Sequence, residues 1–310
     1  MFSSASNFVH GVDKTLLFIF CVSIFFLISI TITMLYFVVR YNRRKNPRAT
    51  QIKGSLALEI TWTVIPFVLV LIMFVYGWTN WTIMKRPPKD AFTIFSTARM
   101  WSWSFKYPNG EVTDTMFVPM NRPVKVNVTS ADVIHSMYIP AFRLKQDMVP
   151  GSNNFLWFIA EKEGTYDIFC AEYCGLRHSY MTTAVVVMKG REFDKWYNES
   201  SKVSIVSGAG VKIMPGLLVI KRNGCSACHS SDGTKIVGPS FKGIYGNKTL
   251  VLIEGKEQQV LVDDAYIMES IYKPNAKIVK GFQSNLMQSY TDIISKNEVK
   301  EITEFIKTLK

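Results

Sequence analysis

The segment Cys170-Ala-Glu-Tyr-Cys174-Gly-Leu-Arg-His178-Ser-Tyr-Met181 brings four soft metal-ligand side chains into 12 consecutive residues. His135, in a strand-like segment upstream, adds a second imidazole. Together the five residues offer two thiolates, two imidazoles and a thioether. Histidine and cysteine with a weak axial methionine are typical ligands of electron-transfer copper. The segment therefore predicts a copper centre.

Two other uses of the same residues stay open at this point. A closed zinc site could take the two cysteines and the two histidines, but it would leave the Met181 thioether without a role. A disulfide between Cys170 and Cys174 would leave His135, His178 and Met181 unrelated to it. The complete donor set favours copper over both alternatives.

The residues around this segment indicate a β-rich domain over 91–197. Short β-prone runs, such as 124–128 and 184–188, are separated by turn sequences at 108–110 and 150–151. This pattern predicts an all-β domain, an antiparallel sandwich or barrel. The ligand loop would lie between two strands, so that a rigid sheet holds it in place.

A second motif, Cys225-Ser-Ala-Cys228-His229, has the C-x-x-C-H spacing of covalent c-type haem attachment. A thioredoxin-like site would need a βαβ context, and a zinc site would need a second ligand pair; neither follows in the sequence. Helical patterns return from about 212, and Ser295-Lys-Asn-Glu298 is a capping box before the last helix. A small all-α haem domain is predicted over 212–310.

Two long apolar stretches predict membrane-spanning helices. The stretch 16–39 has no charged residue, and the stretch 60–84 is interrupted only by polar groups and Pro66. Each reaches the roughly 20 residues needed to cross a bilayer. A signal peptide is the alternative for the first stretch, but its apolar run is too long and no basic segment precedes it. Residues 1–90 are predicted to form a two-helix transmembrane hairpin.

The charge pattern predicts the orientation of this hairpin. The formal net charge is +12, and half of it comes from the basic residues between the two helices: Arg40, Arg43, Arg44, Lys45, Arg48 and Lys53. The positive-inside rule places this loop in the cytoplasm and both termini outside. Because the basic residues flank apolar spans, they predict contact with membrane lipid and not with nucleic acid.

Over most of its first 200 residues the chain resembles subunit II of cytochrome c oxidase, and the Cys-x-Glu-x-x-x-x-x-His core at 170–178 resembles the binuclear copper loop of that family. The resemblance implies two copper ions bridged by both thiolates. It implies the ligands His135, Cys170, Glu172 (by its carbonyl), Cys174, His178 and Met181. It also implies that the Glu172 side chain reaches a magnesium ion at the boundary with subunit I.

The same resemblance implies roles for two residues outside the ligand set. Trp101, in Trp101-Ser-Trp103, stands where electrons enter from cytochrome c, and alternation puts both indoles on one face of a strand. Glu59, three residues before Trp62, stands at the mouth of a proton path that leads into subunit I. Asp147 also matches the family, without an assigned role.

The C-terminal part resembles class I cytochrome c. The resemblance implies that Cys225 and Cys228 form the haem thioethers and that His229 is the proximal iron ligand, supported by the Gly238-Pro239 segment. Met287 occupies the place of the second axial ligand, although Gln288 follows it where the family has Pro. Met268 is predicted to be a core residue, and Met214 lies too close to the haem motif to serve as a ligand.

These inferences predict four segments: the hairpin 1–90, a cupredoxin-like copper domain 91–197, a linker 198–211 and a cytochrome c domain 212–310. A linker of about a dozen flexible residues has a root-mean-square span on the order of 20 Å. The two redox domains would therefore stay close enough to exchange electrons without diffusing apart.

The predicted function is electron input to a terminal cytochrome c oxidase of the bacterial inner membrane, with the redox domains on the periplasmic side. A cytochrome c-type donor, periplasmic or membrane-bound, would reduce haem c, and the copper pair would pass electrons to subunit I, which with other oxidase subunits reduces dioxygen to water and translocates protons. Only four histidines are present, so the chain does not reduce oxygen alone. The alternatives are the input subunit of a copper-containing nitric oxide reductase and a membrane-anchored electron carrier.

Overall fold

The computed structural model describes residues 4–48, 50–51, 53–200 and 214–310. Its first two helices, α1 (Val9–Arg40) and α2 (Leu56–Met84), are long and apolar enough to span a membrane. Both begin several residues before the predicted apolar stretches. Ser55 caps α2, since its side chain accepts a hydrogen bond from the backbone N–H of Leu58.

Polar contacts join the two helices near the ends that face the β-rich domain. The Asn80 side-chain amide donates to Thr15 Oγ1 at 2.9 Å. Gly11 permits this approach, because a Cβ there would lie 2.5 Å from Asn80 Oδ1. Phe18 and Tyr76 bring their rings to 5.6 Å one turn further in. The two helices therefore form the predicted hairpin.

The end of the hairpin that contains the start of α1 and the end of α2 is fixed to the β-rich domain. Arg143 donates from Nε to Asp13 Oδ1 at 2.8 Å and from Nη2 to Asp13 Oδ2 at 3.1 Å. Trp157 Nε1 donates to the Ile83 carbonyl at the end of α2. Ala5 and Phe8, which precede α1, are buried in the core of the β-rich domain. The N-terminus and this domain thus lie on the same side of the hairpin.

The β-rich domain is a sandwich of two five-stranded sheets. Its strands are β1 (Phe92–Arg99), β2 (Ser102–Lys106), β3 (Val112–Thr113), β4 (Met116–Pro119), β5 (Pro123–Ser130), β6 (His135–Ile139), β7 (Leu144–Met148), β8 (Asn154–Ile159), β9 (Gly164–Cys170) and β10 (Thr182–Met188). The sheets have the orders β3-β2-β1-β5-β8 and β4-β10-β9-β6-β7. In β5 every second residue is buried, as expected for a strand with one face on the core.

The predicted all-β domain is present, but its sheets are mixed, whereas an antiparallel sandwich or barrel was predicted. One parallel pair occurs in each sheet, β1 with β5 and β4 with β10. The partners in each pair are far apart in the chain, so the run of short strands and turns that guided the prediction contains no signal for them. The remaining pairs are antiparallel, as predicted.

A helix that the sequence analysis missed, α3 (Gly190–Ser200), follows β10. Its residue Phe193 is fully buried, and Trp196 packs on Tyr107 and Phe117 at ring separations of 5.0 and 4.8 Å. Because residues 198–200 belong to this helix, the predicted linker 198–211 starts too early. The rest of that linker lies outside the described residues.

The C-terminal domain is helical, as predicted, and contains α4 (Pro215–Arg222), α5 (Asp264–Tyr272) and α6 (Lys296–Thr308). The predicted capping box is present, with Ser295 and Glu298 each accepting from the other's backbone N–H. The domain also carries an unpredicted three-stranded sheet in the order β12-β11-β13, formed by β11 (Lys248–Ile253), β12 (Lys256–Leu261) and β13 (Ile278–Val279).

Candidate redox centres

Three neighbouring strands bring the predicted copper ligands together. His135 is the first residue of β6, Cys170 is the last residue of β9, and Met181 immediately precedes β10. Strand β9 pairs with both β6 and β10. The loop 171–181 therefore starts beside β6 and ends beside Cys170, where the Cys170 N–H donates to the Met181 carbonyl, and sheet pairing fixes the separation of residues that lie far apart in sequence.

The ligand atoms form a compact cluster with one histidine beside each thiol. Cys170 Sγ lies 3.8 Å from His135 Nδ1, and Cys174 Sγ lies 3.5 Å from His178 Nδ1. The two sulfurs are 3.8 Å apart. Cys174 Sγ is also 3.8 Å from Met181 Sδ, and Cys170 Sγ is 3.2 Å from the Glu172 carbonyl oxygen.

This geometry fits a pair of copper ions better than the two alternatives. The thiols are free, and a sulfur separation of 3.8 Å is well beyond the roughly 2.05 Å of a disulfide bond. A structural zinc site takes four ligands, whereas six donor atoms converge here when the thioether and the carbonyl are counted. The donor set is soft throughout apart from that carbonyl.

The protonation of the cluster follows from its burial and its hydrogen bonds. Burial alone would lower the pKa of His135, but its bonds to Asp132 and Cys170 outweigh burial and raise the pKa to about 9. Burial opposes ionisation of Cys170, yet bonds with His135 and the backbone bring its pKa down to about 6. Burial and the neighbouring Cys170 charge raise the pKa of Cys174 to about 12. A metal would therefore displace protons as it binds.

Asp132 is a functional residue that the sequence analysis missed. Its Oδ1 accepts a hydrogen bond from His135 Nε2 at 2.8 Å, which leaves Nδ1 directed to Cys170. Metal-binding histidines commonly use the second ring nitrogen in this way, and the partner fixes the ring orientation. An aspartate three residues before a candidate histidine ligand was the available signal.

The two predicted tryptophans both contact the ligand loop. Trp101 Nε1 donates to the Cys174 carbonyl at 3.0 Å, and Trp103 Nε1 donates to the Met181 carbonyl at 3.4 Å. Both indoles are buried. The shared strand predicted for them is incorrect in one respect, because β2 starts at Ser102 and Trp101 lies in the preceding turn.

Two of the predicted residues point away from the thiol cluster. Glu59 lies in the first turn of α2, at the opposite end of that helix from the β-rich domain, and is exposed. The Glu172 side chain is also exposed, although its carbonyl lies at the cluster. Asp147 accepts a hydrogen bond from Ser136, the neighbour of His135, at 2.8 Å.

A cavity in the C-terminal domain contains the predicted haem-binding residues. Cys225, Cys228, His229 and Met287 all line it. His229 Nδ1 donates to the Pro239 carbonyl at 2.8 Å, and Phe241 stacks on the imidazole at 4.9 Å. Burial lowers the pKa of His229. The ring is therefore neutral and oriented, with Nε2 free to bind iron, so the residues present fit a haem.

The other methionines occupy the places expected of them. Met268, in α5, packs against the apolar core of the C-terminal domain. Met214 is the residue before α4, and neither methionine is among the cavity-lining residues in the described part of the chain. Gln288, which stands where the family has proline, lines the cavity beside Met287. The Phe241 contact was not predicted, because nothing in its sequence position marks it.

Comparisons with known proteins agree with this architecture. The family described as "Cytochrome C oxidase subunit II, transmembrane domain" matches residues 1–78, "Cytochrome C oxidase subunit II, periplasmic domain" matches 109–188, and "Cytochrome c" matches 215–310. Cytochrome c oxidase subunit 2 of Alkalihalophilus pseudofirmus is 28% identical in a 300-residue alignment that covers 92% of this chain and 83% of that protein. The Cereibacter sphaeroides subunit is 29% identical in a 258-residue alignment that covers 68% of this chain and 84% of that protein.

Among solved structures, the periplasmic domain of subunit II of cytochrome oxidase from Bradyrhizobium japonicum is 37% identical, with a TM-score of 0.36, and the match covers 38% of this chain and 98% of that one. The two apolar helices, the cupredoxin-like domain and the haem domain define a membrane-anchored electron-transfer subunit. The chain belongs to the cytochrome c oxidase subunit II family and carries a cytochrome c domain at its C-terminal end. It is thus a subunit of a haem-copper oxidase, an oxidoreductase, and its domains imply binuclear copper and haem c.

Proposed function

We propose that this chain is the electron-input subunit of a terminal cytochrome c oxidase. It would take electrons from an external cytochrome c-type donor through haem c and binuclear copper, and pass them to subunit I, where dioxygen is reduced to water and protons are translocated. The observation that carries this proposal is the pairing of one histidine with each thiol, at 3.8 and 3.5 Å, in the same chain as a built haem cavity. Copper and haem iron, when bound, supply reversible one-electron oxidation and reduction.

The proposed copper ligands are those the cluster brings together. Cys170 and Cys174 would hold the copper ions through their sulfurs, and His135 and His178 would hold them through their ring nitrogens. Met181 and the Glu172 carbonyl would be the weak ligands. The buried sheet holds these groups before any metal arrives, which reduces the rearrangement that binding requires.

The proposed haem ligands follow from the cavity. Cys225 and Cys228 would form the thioether bonds, and His229 and Met287 would bind the iron. Pro239 and Phe241 hold the His229 ring in place by a hydrogen bond and by stacking. Methionine opposite histidine raises the reduction potential of a haem, which suits a carrier that accepts electrons from a cytochrome c-type donor.

Three further assignments rest on the family resemblance. Trp101 is proposed as the point where electrons from cytochrome c enter the copper domain, and its bond to the Cys174 carbonyl supports this role. Glu59 is proposed to stand at the mouth of the proton path in subunit I, and its exposure on α2 leaves it accessible to that subunit. The Glu172 side chain, also exposed, is proposed to reach magnesium at the same boundary.

We place the chain in the bacterial inner membrane, with both termini and the redox domains on the periplasmic side. The basic loop between α1 and α2 supports this orientation. Burial of Ala5 and Phe8 in the β-rich domain supports it too, because it holds the N-terminus on the side of the redox domains. Subunit I, other oxidase subunits and lipid would surround the hairpin.

Metal and optical analysis of the full chain, purified in detergent after expression with haem-attachment machinery and copper, tests the proposal. We expect two copper ions per haem and a near-infrared mixed-valence band. In Cys174→Ser, which removes one bridging thiolate, the band should disappear while the haem spectrum stays unchanged. Zinc, or no metal beside the haem, in the wild-type protein would overturn the proposal.

A further inference from the structure

The haem domain lies against the copper domain through the face that carries its haem-attachment loop. Cys228 and Val237 pack against the core cluster of the copper domain. Gly224, directly before the motif, lies so close to Ser102 that a Cβ would collide with the serine hydroxyl. The haem-attachment motif therefore faces the copper domain.

Two arginines of the copper domain reach across this contact. Arg177, within the ligand loop between Cys174 and His178, donates a hydrogen bond to the Ala227 carbonyl inside the haem motif. Arg99, at the end of β1, lies with Cζ 5.6 Å from the ring centroid of Tyr290. A cation over an aromatic face is attractive. The copper-ligand loop and the haem-attachment loop are thus joined directly.

Residues of the copper domain also complete the wall of the haem cavity. Met100 and Asp132 line it together with Cys225, Cys228 and His229. Trp101, although it follows Met100 in the chain, is not among the described residues that line the cavity. The contact between the cavity and the copper domain is therefore made beside Trp101 and not through its indole.

Asp132 connects this cavity wall to a proposed copper ligand. Its Oδ2 accepts a hydrogen bond from the Met100 N–H at 2.7 Å, and its Oδ1 accepts one from His135 Nε2 at 2.8 Å. The other nitrogen of the same ring, Nδ1, faces Cys170 Sγ at 3.8 Å. Asp132 and the His135 ring together thus connect the surface of the haem cavity to the thiol cluster.

We propose that Asp132 and Met100 form the junction by which electrons from the chain's own haem domain reach the His135 side of the copper centre. The inference rests on the proposed function of the two centres. It assigns electron transfer from the chain's own haem domain to a contact other than Trp101. One electron passes per event, from ferrous iron to the oxidised copper pair, and no covalent bond is made or broken. Asp132 acts as a positioning residue, since it holds His135 and the cavity wall in one hydrogen-bonded unit.

Photochemical reduction of the haem in the full chain, loaded with haem and copper in detergent, tests the junction. The rate is read from haem reoxidation and from loss of the near-infrared copper band. We expect Asp132→Ala to slow this transfer by about 10- to 100-fold, the range typical for loss of a partner that orients a metal ligand. Asp132→Asn should give an intermediate rate, because an amide nitrogen cannot accept a hydrogen bond and only one of the two contacts survives.

Two further variants serve as comparisons. Asp167→Asn removes the same charge from an exposed position on β9, and its transfer rate should equal that of the wild type. Trp101→Phe tests the rival route and should slow transfer less than Asp132→Ala does. Copper content and the reduction potentials of both centres are measured in every variant, since a merely structural role of Asp132 would change these quantities.

The outcomes separate this inference from the proposed function. If Asp132→Ala transfers at the wild-type rate, if Trp101→Phe is the slower variant, or if the loss in Asp132→Ala is fully explained by lost copper or a shifted potential, the junction is wrong while the proposed function stands. Absence of the copper band in the wild-type protein would overturn the proposed function, and the junction with it.

Discussion

A side chain on Gly238 would lie 2.5 Å from Cε1 of His229, so the glycine leaves the space that the imidazole ring occupies. The ring cannot move aside without losing contacts, because Nδ1 donates a hydrogen bond to the Pro239 carbonyl and Phe241 stacks on the ring. The proposed proximal ligand is thus held by its neighbours on several sides, and each contact can be tested separately.

Gly238→Ala should therefore disturb the proposed haem site. Overpacking of this kind reduces the free energy of unfolding by about 1 to 3 kcal/mol. The displaced His229 ring would also bind iron more weakly or not at all. We expect a lower haem content per protein and an altered Soret band, measured by absorbance of the purified chain. Gly190→Ala, at the start of α3, is a control for replacing a glycine where a Cβ meets no neighbour within 4 Å; an equal loss of haem in both variants would contradict the prediction.

Met181→Leu should change the proposed copper centre without unfolding the domain. Met181 is fully buried, and exchange of methionine for leucine usually costs less than about 1.5 kcal/mol. Because an axial thioether tunes the potential of a copper site, we expect the copper content to be retained and the reduction potential to shift. Potentiometry of the near-infrared band measures the shift. Met116→Leu, equally buried in β4, is the control and should leave the potential unchanged.

Met287→Leu should remove one of the two proposed iron ligands. The haem would remain covalently attached, but its iron would have an open position that carbon monoxide can fill. Spectra of the reduced protein with and without carbon monoxide measure this change. Met268→Leu, a change in the core of the same domain, should bind no carbon monoxide. If only this variant binds carbon monoxide, Met268 and not Met287 is the iron ligand.

Glu298 should make the stability of the haem domain depend on pH. Burial opposes ionisation of this carboxyl, but hydrogen bonds from Ser295 and Arg222 outweigh burial and lower its pKa. Its contribution to folding is therefore complete above the unfolded pKa, near 4.5, and is lost as the pH falls through the lower folded pKa.

We accordingly expect Glu298→Gln to reduce the free energy of unfolding at pH 7 by at most about 1 kcal/mol, because it removes the charge paired with Arg222 while the glutamine oxygen can still accept from the Ser295 N–H. The difference from the wild type should shrink in acid, once the wild-type carboxyl is itself protonated. Denaturant unfolding followed through the Soret band at several pH values measures both effects. Glu304→Gln, exposed on the same helix, should produce a smaller change; a pH-independent difference for Glu298→Gln would argue against the assignment.

The site residues that could be predicted are those that lie close together in the sequence. The loop 170–181 and the Cys225–His229 motif hold most of their ligands within a few residues, so chemistry alone identified the residue types. Asp132 was not predicted, because its role depends on β6 turning His135 Nε2 towards it. Phe241 was missed for a similar reason, since only the folded loop places its ring on His229.

The fold shows the same division. The helices α1 and α2 were predicted because an apolar stretch of more than 20 residues is long enough to cross a bilayer as a helix, while the parallel pairs β1–β5 and β4–β10 depend on contacts between distant segments. Helix α3 was missed because its sequence is short and largely polar, and only a few aromatic residues such as Trp196 attach it to the sandwich.

Ala5 and Phe8 belong to the core of a domain whose strands begin more than 80 residues later, at Phe92. A backbone hydrogen bond also fixes this N-terminal segment to the domain, since the Ala5 N–H donates to the Ala141 carbonyl. The core of the sandwich is therefore complete only when the segment before the hairpin packs against strands that follow the hairpin. A polypeptide shortened to its redox domains would fold around a gap where these two side chains belong.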